Sequence, residues 1–127
     1  MSTPTYEVRE GRSSWGGRPL REWADDITAL IVERFAPRKV ILFGSVAEGT
    51  DGPDSDLDLL VVLDDAPIDR RRELMVALRQ ATRSVDVPRD LLVTSTADFD
   101  GNRSVVGTTE YEPANHGVVV YDRQPTA

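Results

Sequence analysis

The sequence predicts an α/β domain in which a small mixed β-sheet carries helices packed against it. Three observations lead there. Apolar residues recur at three- and four-residue spacing between positions 20 and 35, and again between 74 and 81, as in helices with one inward stripe. Two short runs, Val40-Ile41-Leu42-Phe43 and Leu59-Leu60-Val61-Val62-Leu63, have the composition of strands covered on both faces. Helical and strand patterns alternate over 127 residues, a length that suits one domain and one sheet.

The elements follow in order. Residues 1–18 hold Gly11, Gly16, Gly17, Ser13 and Ser14 with almost no aliphatic periodicity, so a flexible N-terminal arm is expected, with Trp15 as its one docking aromatic. The domain proper is expected over 19–123. Leu20, Trp23, Ala24, Ile27, Leu30, Ile31 and Phe35 form the first helix, which Pro37 stops. The first strand follows at Val40. Gly44, Gly49, Gly52 and Pro53 then punctuate 44–55 too densely for a long element. The second strand runs from Asp56 to Leu63, and Asp64, Asp65 and Pro67 end it. A second helix is expected over 67–83, with Leu74, Met75, Leu78 and Ala81 inward and Arg70, Arg71 and Arg72 near its start. The third strand is Val87 to Val93, its Pro88 suggesting an edge or an irregular beginning. Ser95 can cap a short helix through Phe99, and a further helix is expected from Arg103 to about Glu112 despite Gly107, Thr108 and Thr109. A strand from Gly117 to Tyr121 closes the chain, and Gln124–Ala127 read as frayed.

Composition removes several chemistries. With no cysteine there is no disulfide, thiolate metal site or thiol catalysis, and one histidine, His116, disfavours an imidazole cage or a Ser-His-Asp triad. His116 reads as a loop or packing residue. The net charge of −7 opposes generic binding to nucleic-acid phosphates. The longest apolar run is far below the roughly 20 residues a membrane helix needs. Residues 1–19 lack the apolar stretch of a secretory signal, so a cytoplasmic chain is expected. What remains for chemistry is mostly carboxylate.

The informative stretch runs from Ile41 to Val62. A strand delivers the chain to Gly44-Ser45, where glycine allows close backbone approach and serine adds a hydroxyl and an N–H suited to phosphate oxygens. Ten residues later come Asp56 and Asp58. Residues two apart on a strand share a face, so these carboxylates stand side by side, about 6–7 Å apart along the chain. Held together they repel, and a divalent cation between them reverses that cost. Hard carboxylate oxygens select magnesium or manganese. Leu57, Leu59, Val61 and Leu63 take one face, whereas Asp56 and Asp58 share the other with Leu60 and Val62. A merely solvated strand would not continue so apolar.

Gly44-Ser45, ten intervening residues, then Asp56-x-Asp58 leading an apolar strand resembles the signature of the minimal nucleotidyltransferase family of the DNA polymerase β superfamily. The resemblance extends from about Leu20 to Tyr121. It implies the nucleotidyltransferase fold, with Gly44 and Ser45 holding a triphosphate and Asp56 and Asp58 binding two Mg²⁺ ions. A third carboxylate on a neighbouring strand would complete the site. Asp90, which opens Leu91-Leu92-Val93, is the expected choice and Asp86 the fallback. By similarity the reaction is nucleotidyl transfer from ATP or another NTP, with pyrophosphate released and Asp90 near the acceptor. Many members carry arginine where this chain has Val46 and Glu48, so compensating cations would come from Arg38, Lys39 or the Arg70–Arg72 cluster.

Small stand-alone members resemble the antitoxin of bacterial toxin–antitoxin pairs, in which AMP is moved to a tyrosine of a HEPN-type toxin partner. That is the leading expectation for this chain. Two others stand beside it: a non-catalytic nucleotide- or partner-binding module, and a transferase acting on a small hydroxylated molecule such as an antibiotic.

Overall fold

A computed structural model describes residues 6–9, 12–52 and 55–123. Residues 1–5, 10 and 11 of the expected arm, and the expected frayed end at Gln124–Ala127, lie outside the described residues. Within the arm, β1 (Tyr6–Arg9), β2 (Arg12–Trp15) and β3 (Arg18–Pro19) pair as a three-stranded antiparallel sheet, where composition suggested no regular structure. Trp15 faces Arg18 across Gly16-Gly17, whose φ values of 60° and 80° are those of a tight hairpin turn. The Trp15 indole donates to the Asp86 carbonyl (2.9 Å), and the Trp23 indole donates to the Trp15 carbonyl (2.9 Å). Tertiary bonds supply what the arm's composition lacks.

The main domain begins with α1 (Leu20–Phe35), whose Leu20, Ala24, Ile27 and Ile31 are fully buried. It is followed by β4 (Lys39–Phe43), the short α2 (Gly44–Glu48) and β5 (Leu57–Leu63). A 3-10 turn at Ile68–Arg70 leads into α3 (Arg71–Ala81), then β6 (Arg89–Ser95) begins directly after Pro88. Ser95 caps α4 (Thr96–Asn102) by accepting the Asp98 N–H at 3.1 Å. α5 (Tyr111–His116) and β7 (Val118–Asp122) complete the chain. The helix expected over 103–112 is not formed. Gly107 has a φ of 92°, the Thr108 hydroxyl turns back to the carbonyls of Asn102 and Val105, and the helix starts only at Tyr111. Buried Glu110 anchors this loop by accepting the Thr94 hydroxyl at 2.6 Å and the Asn102 amide at 3.3 Å.

The strands order as β6-β5-β4-β7, with β5 parallel to β6 and the other pairs antiparallel, so the sheet is mixed as expected. Alternation along β5 separates two cores. Leu57, Leu59, Val61 and Leu63 pack with residues of α1 and α3 on one face. Leu60 and Val62 pack with Ile41 and Phe99 on the other. Asp58 belongs by alternation to this second face, at the end of β5 where the core has not yet closed over it. Among the described residues no helix is long and apolar enough to cross a membrane.

Candidate active site

Strand register brings the two halves of the motif together. Asp58 lies opposite Phe43, the last residue of β4, so Gly44-Ser45 emerges beside it. Gly44 has a φ of 76°, and a Cβ at that position would collide with the Asp58 carboxylate. Glycine is required there twice over, by backbone conformation and by close approach.

On its other side Asp58 lies opposite Asp90 in the parallel β5–β6 ladder, and paired residues of adjacent strands project from the same face. Asp56 precedes β5 by one residue, is exposed, and adds its charge from the chain direction. Burial, then the charges of Asp90 and Asp56, push the Asp58 carboxyl up to about 6. A half-buried acid with two acidic neighbours holds its proton longer than a solvated one. Asp86 is not among the charges that raise it. That residue lies three positions before β6, where its carbonyl receives Trp15 and its charge acts on Arg89.

Ser45 is tied to the loop that carries Asp56. Its hydroxyl donates to Ser55 Oγ (3.1 Å), which also accepts the Gly52 N–H (2.8 Å). The Thr50 N–H returns to the Ser45 carbonyl at 2.9 Å. From the small N-terminal sheet, buried Ser13 donates its N–H to the Asp51 carboxylate and its hydroxyl to the Gly52 carbonyl. Ser13, Asp51 and Ser55 thus belong to the site's support. Ser55 was readable from its place ten residues after Ser45, whereas nothing local marks Ser13 or Asp51.

The remaining candidates divide by position. Glu48 is exposed at the last position of α2, and nearby Val46 is buried in the core. Arg38 and Lys39 do not reach Gly44-Ser45. They sit at the opposite end of β4, about 16 Å away, where Arg38 pairs with Asp122 and Lys39 lies over the Phe99 ring at 5.7 Å. Arg70 pairs with Glu73 (3.2 Å) and Arg71 with Asp98, which leaves Arg72 as the member of its cluster that shares a cavity with Asp90. His116 ends α5 exposed, edge-on to Tyr111.

Among the described residues no three acidic or imidazole groups converge as a ready-made metal cage. The donor set is nevertheless of one kind: three carboxylates on adjoining chain segments, one of them half-buried and raised by its neighbours. Such a set suits a hard divalent cation, which would replace the mutual repulsion by attraction.

Comparison with known proteins gives a consistent result. The family model described as nucleotidyltransferase domain matches residues 27–110, from the middle of α1 to the buried Glu110. A structure from Sulfolobus solfataricus described as a candidate nucleotidyltransferase is similar at 18% identity and a TM-score of 0.54, covering 82% of this chain and 81% of that one. A mutant of the toxin–antitoxin MntA-HpeT is similar at 20% identity and a TM-score of 0.52, covering 79% and 73%. At these identities the likeness is one of fold. No curated protein matches the chain.

Proposed function

Since this chain belongs to the nucleotidyltransferase domain family, we propose that it moves a nucleoside monophosphate, AMP from ATP in the leading case, onto a hydroxyl of a partner protein. The carrying observation is the register that sets Asp58 between Gly44-Ser45 and Asp90. In this reading the nucleotidyltransferase domain spans 19–123 and residues 1–18 are an accessory segment.

The acceptor oxygen attacks the α-phosphorus, the bond from that phosphorus to the β-phosphate bridge oxygen breaks, and pyrophosphate leaves with the electron pair. Gly44 lets the backbone approach the triphosphate, and Ser45 offers its N–H and hydroxyl to phosphate oxygens. Asp56, Asp58 and Asp90 would hold two Mg²⁺ ions, with Mn²⁺ as a substitute. Bound there, the ions would neutralise phosphate charge and lower the pKa of the acceptor hydroxyl. Asp90, exposed at the sheet edge, would receive the acceptor proton.

The acceptor we favour is a tyrosine of a HEPN-type toxin, which would make the chain an antitoxin acting in the cytoplasm. Its support is the fold likeness to MntA-HpeT. Incubation with ATP, Mg²⁺ and the protein encoded beside it is expected to add the mass of one AMP to that partner. An unmodified partner, with ATP demonstrably bound, would sink this reading. A non-catalytic module is separated by the Asp56→Asn/Asp58→Asn double variant, which would still neutralise the partner if contact alone sufficed. The exposure of Glu48 weakens the case for a blocked nucleotide pocket. A small-molecule acceptor would appear as AMP transfer to an antibiotic panel.

A further inference from the structure

The fold separates three adjacent arginines and leaves a basic face beside the candidate acceptor end of the site. Arg70 and Arg71 are committed, to Glu73 and to Asp98 with the Ala66 carbonyl. Arg72 instead lines a cavity of about 270 Å³ together with Val76, Arg79, Asp90 and Leu92. Arg72, Val76 and Arg79 recur at i, i+4 and i+7, so they form one stripe of α3. Val76 is 52% exposed although it lies on an otherwise amphipathic helix. The groove continues past Arg79 to Arg83, with Asp86 and Arg89 at that end. Among the described residues Arg72, Arg79 and Arg83 have no acid within ion-pair distance. Arg79 even acts as a like charge on Arg89, whose guanidinium is lowered by burial and then by that neighbour. In a chain of net charge −7, the arginines Arg72, Arg79, Arg83 and Arg89 outnumber the acids Asp86 and Asp90 along this groove, and Asp86 acts on Arg89.

We propose that the groove between α3 and the open edge of β6 docks an acidic, extended segment of the acceptor polypeptide. From Arg72 to Arg79 is about 10 Å along the helix, a span that about three extended residues cover. Carboxylates of such a segment would answer the guanidinium groups, while Val76 and Leu92 would cover its aliphatic side chains. Among the described residues the groove carries no aromatic side chain for stacking a base, which favours polypeptide over nucleic acid. Asp90 lines the groove beside Leu91 and Leu92, so a docked segment would present a hydroxyl there. This last step rests on the transferase reading, whereas the docking itself does not.

The test is fluorescence anisotropy with a labelled glutamate–tyrosine copolymer, compared with a lysine–tyrosine copolymer and a single-stranded oligonucleotide of similar length. The acidic copolymer is expected to bind best. Arg79→Glu/Arg83→Glu should weaken it at least about tenfold, Arg79→Lys/Arg83→Lys should largely retain it, and binding of a labelled ATP analogue should be unchanged. Circular dichroism melts would establish that these surface variants fold. Equal binding by the charge-reversed variant, tighter binding of the oligonucleotide, or loss of ATP binding in its place would each overturn the proposal. Charge-dependent docking without AMP transfer would support the groove and count against the transferase reading instead.

Discussion

At the residue scale the site turns on Asp58. Its folded pKa of about 6 lies above the ordinary 3.8, so between those pH values the folded chain holds a proton that the unfolded chain has released. Stability from this group is therefore full below about pH 4 and is lost as pH rises through about 6. In metal-free buffer, Asp58→Asn is expected to melt higher than the parent at pH 8 and to lose that advantage at pH 4, while transfer activity falls at least about 100-fold. Equal melting temperatures at pH 8 would show that the three carboxylates do not repel as described. Gly44→Ala meets both a positive φ and the Asp58 carboxylate. It should cost about 1–3 kcal/mol in urea unfolding and abolish ATP binding. The residue types of this site were legible, because Gly-Ser and Asp-x-Asp at fixed spacing carry their chemistry locally. For the candidate third carboxylate the sequence favoured Asp90, which opens an apolar strand, over Asp86, and the strand register sets Asp90 opposite Asp58.

At the scale of elements, the N-terminal sheet is joined to the site through Ser13, Gly52, Ser55 and Ser45. Ser13→Ala removes one donor from this chain of bonds. We expect the dissociation constant for ATP to rise about fivefold, the equivalent of one net hydrogen bond of about 1 kcal/mol, with the maximal rate nearly unchanged. Calorimetric titration and initial rates measure the two quantities separately, and a loss confined to the maximal rate would contradict the link. Composition pointed to an arm without regular structure, yet Gly16-Gly17 is itself a hairpin signal, outweighed by the scarcity of aliphatic residues around it. The 103–110 segment differs for the opposite reason. Its helical expectation used local spacing, whereas Thr108 bonds back along the chain and Glu110 is held by Thr94, a partner sixteen residues away. α1, β4 and β5 met their expectations because their apolar periods are continuous and their ends are marked by Pro19, Pro37, Gly44 and Asp64.

At the scale of the molecule, the sheet divides its apolar residues unequally, with the smaller core of Ile41, Leu60, Val62 and Phe99 on the carboxylate face. Leu60 is fully buried there, so Leu60→Ala should cost about 3 kcal/mol in urea unfolding. A cost below about 1 kcal/mol would mean that this face is loosely packed. Mg²⁺ is expected to raise the melting temperature of the parent at pH 8 and to leave the Asp56→Asn/Asp58→Asn variant unchanged, since a ligand stabilises only the state that binds it. The sequence by itself determined the α/β class, most of the strands and helices, and the Gly-Ser and carboxylate residues proposed for the site, because side-chain period and residue type are local properties. Tertiary structure decided which acid faces Asp58, which arginines are neutralised and which line a groove, and how the N-terminal residues are tied down. Those outcomes depend on register and on contacts between distant segments, and no window of neighbouring residues contains them.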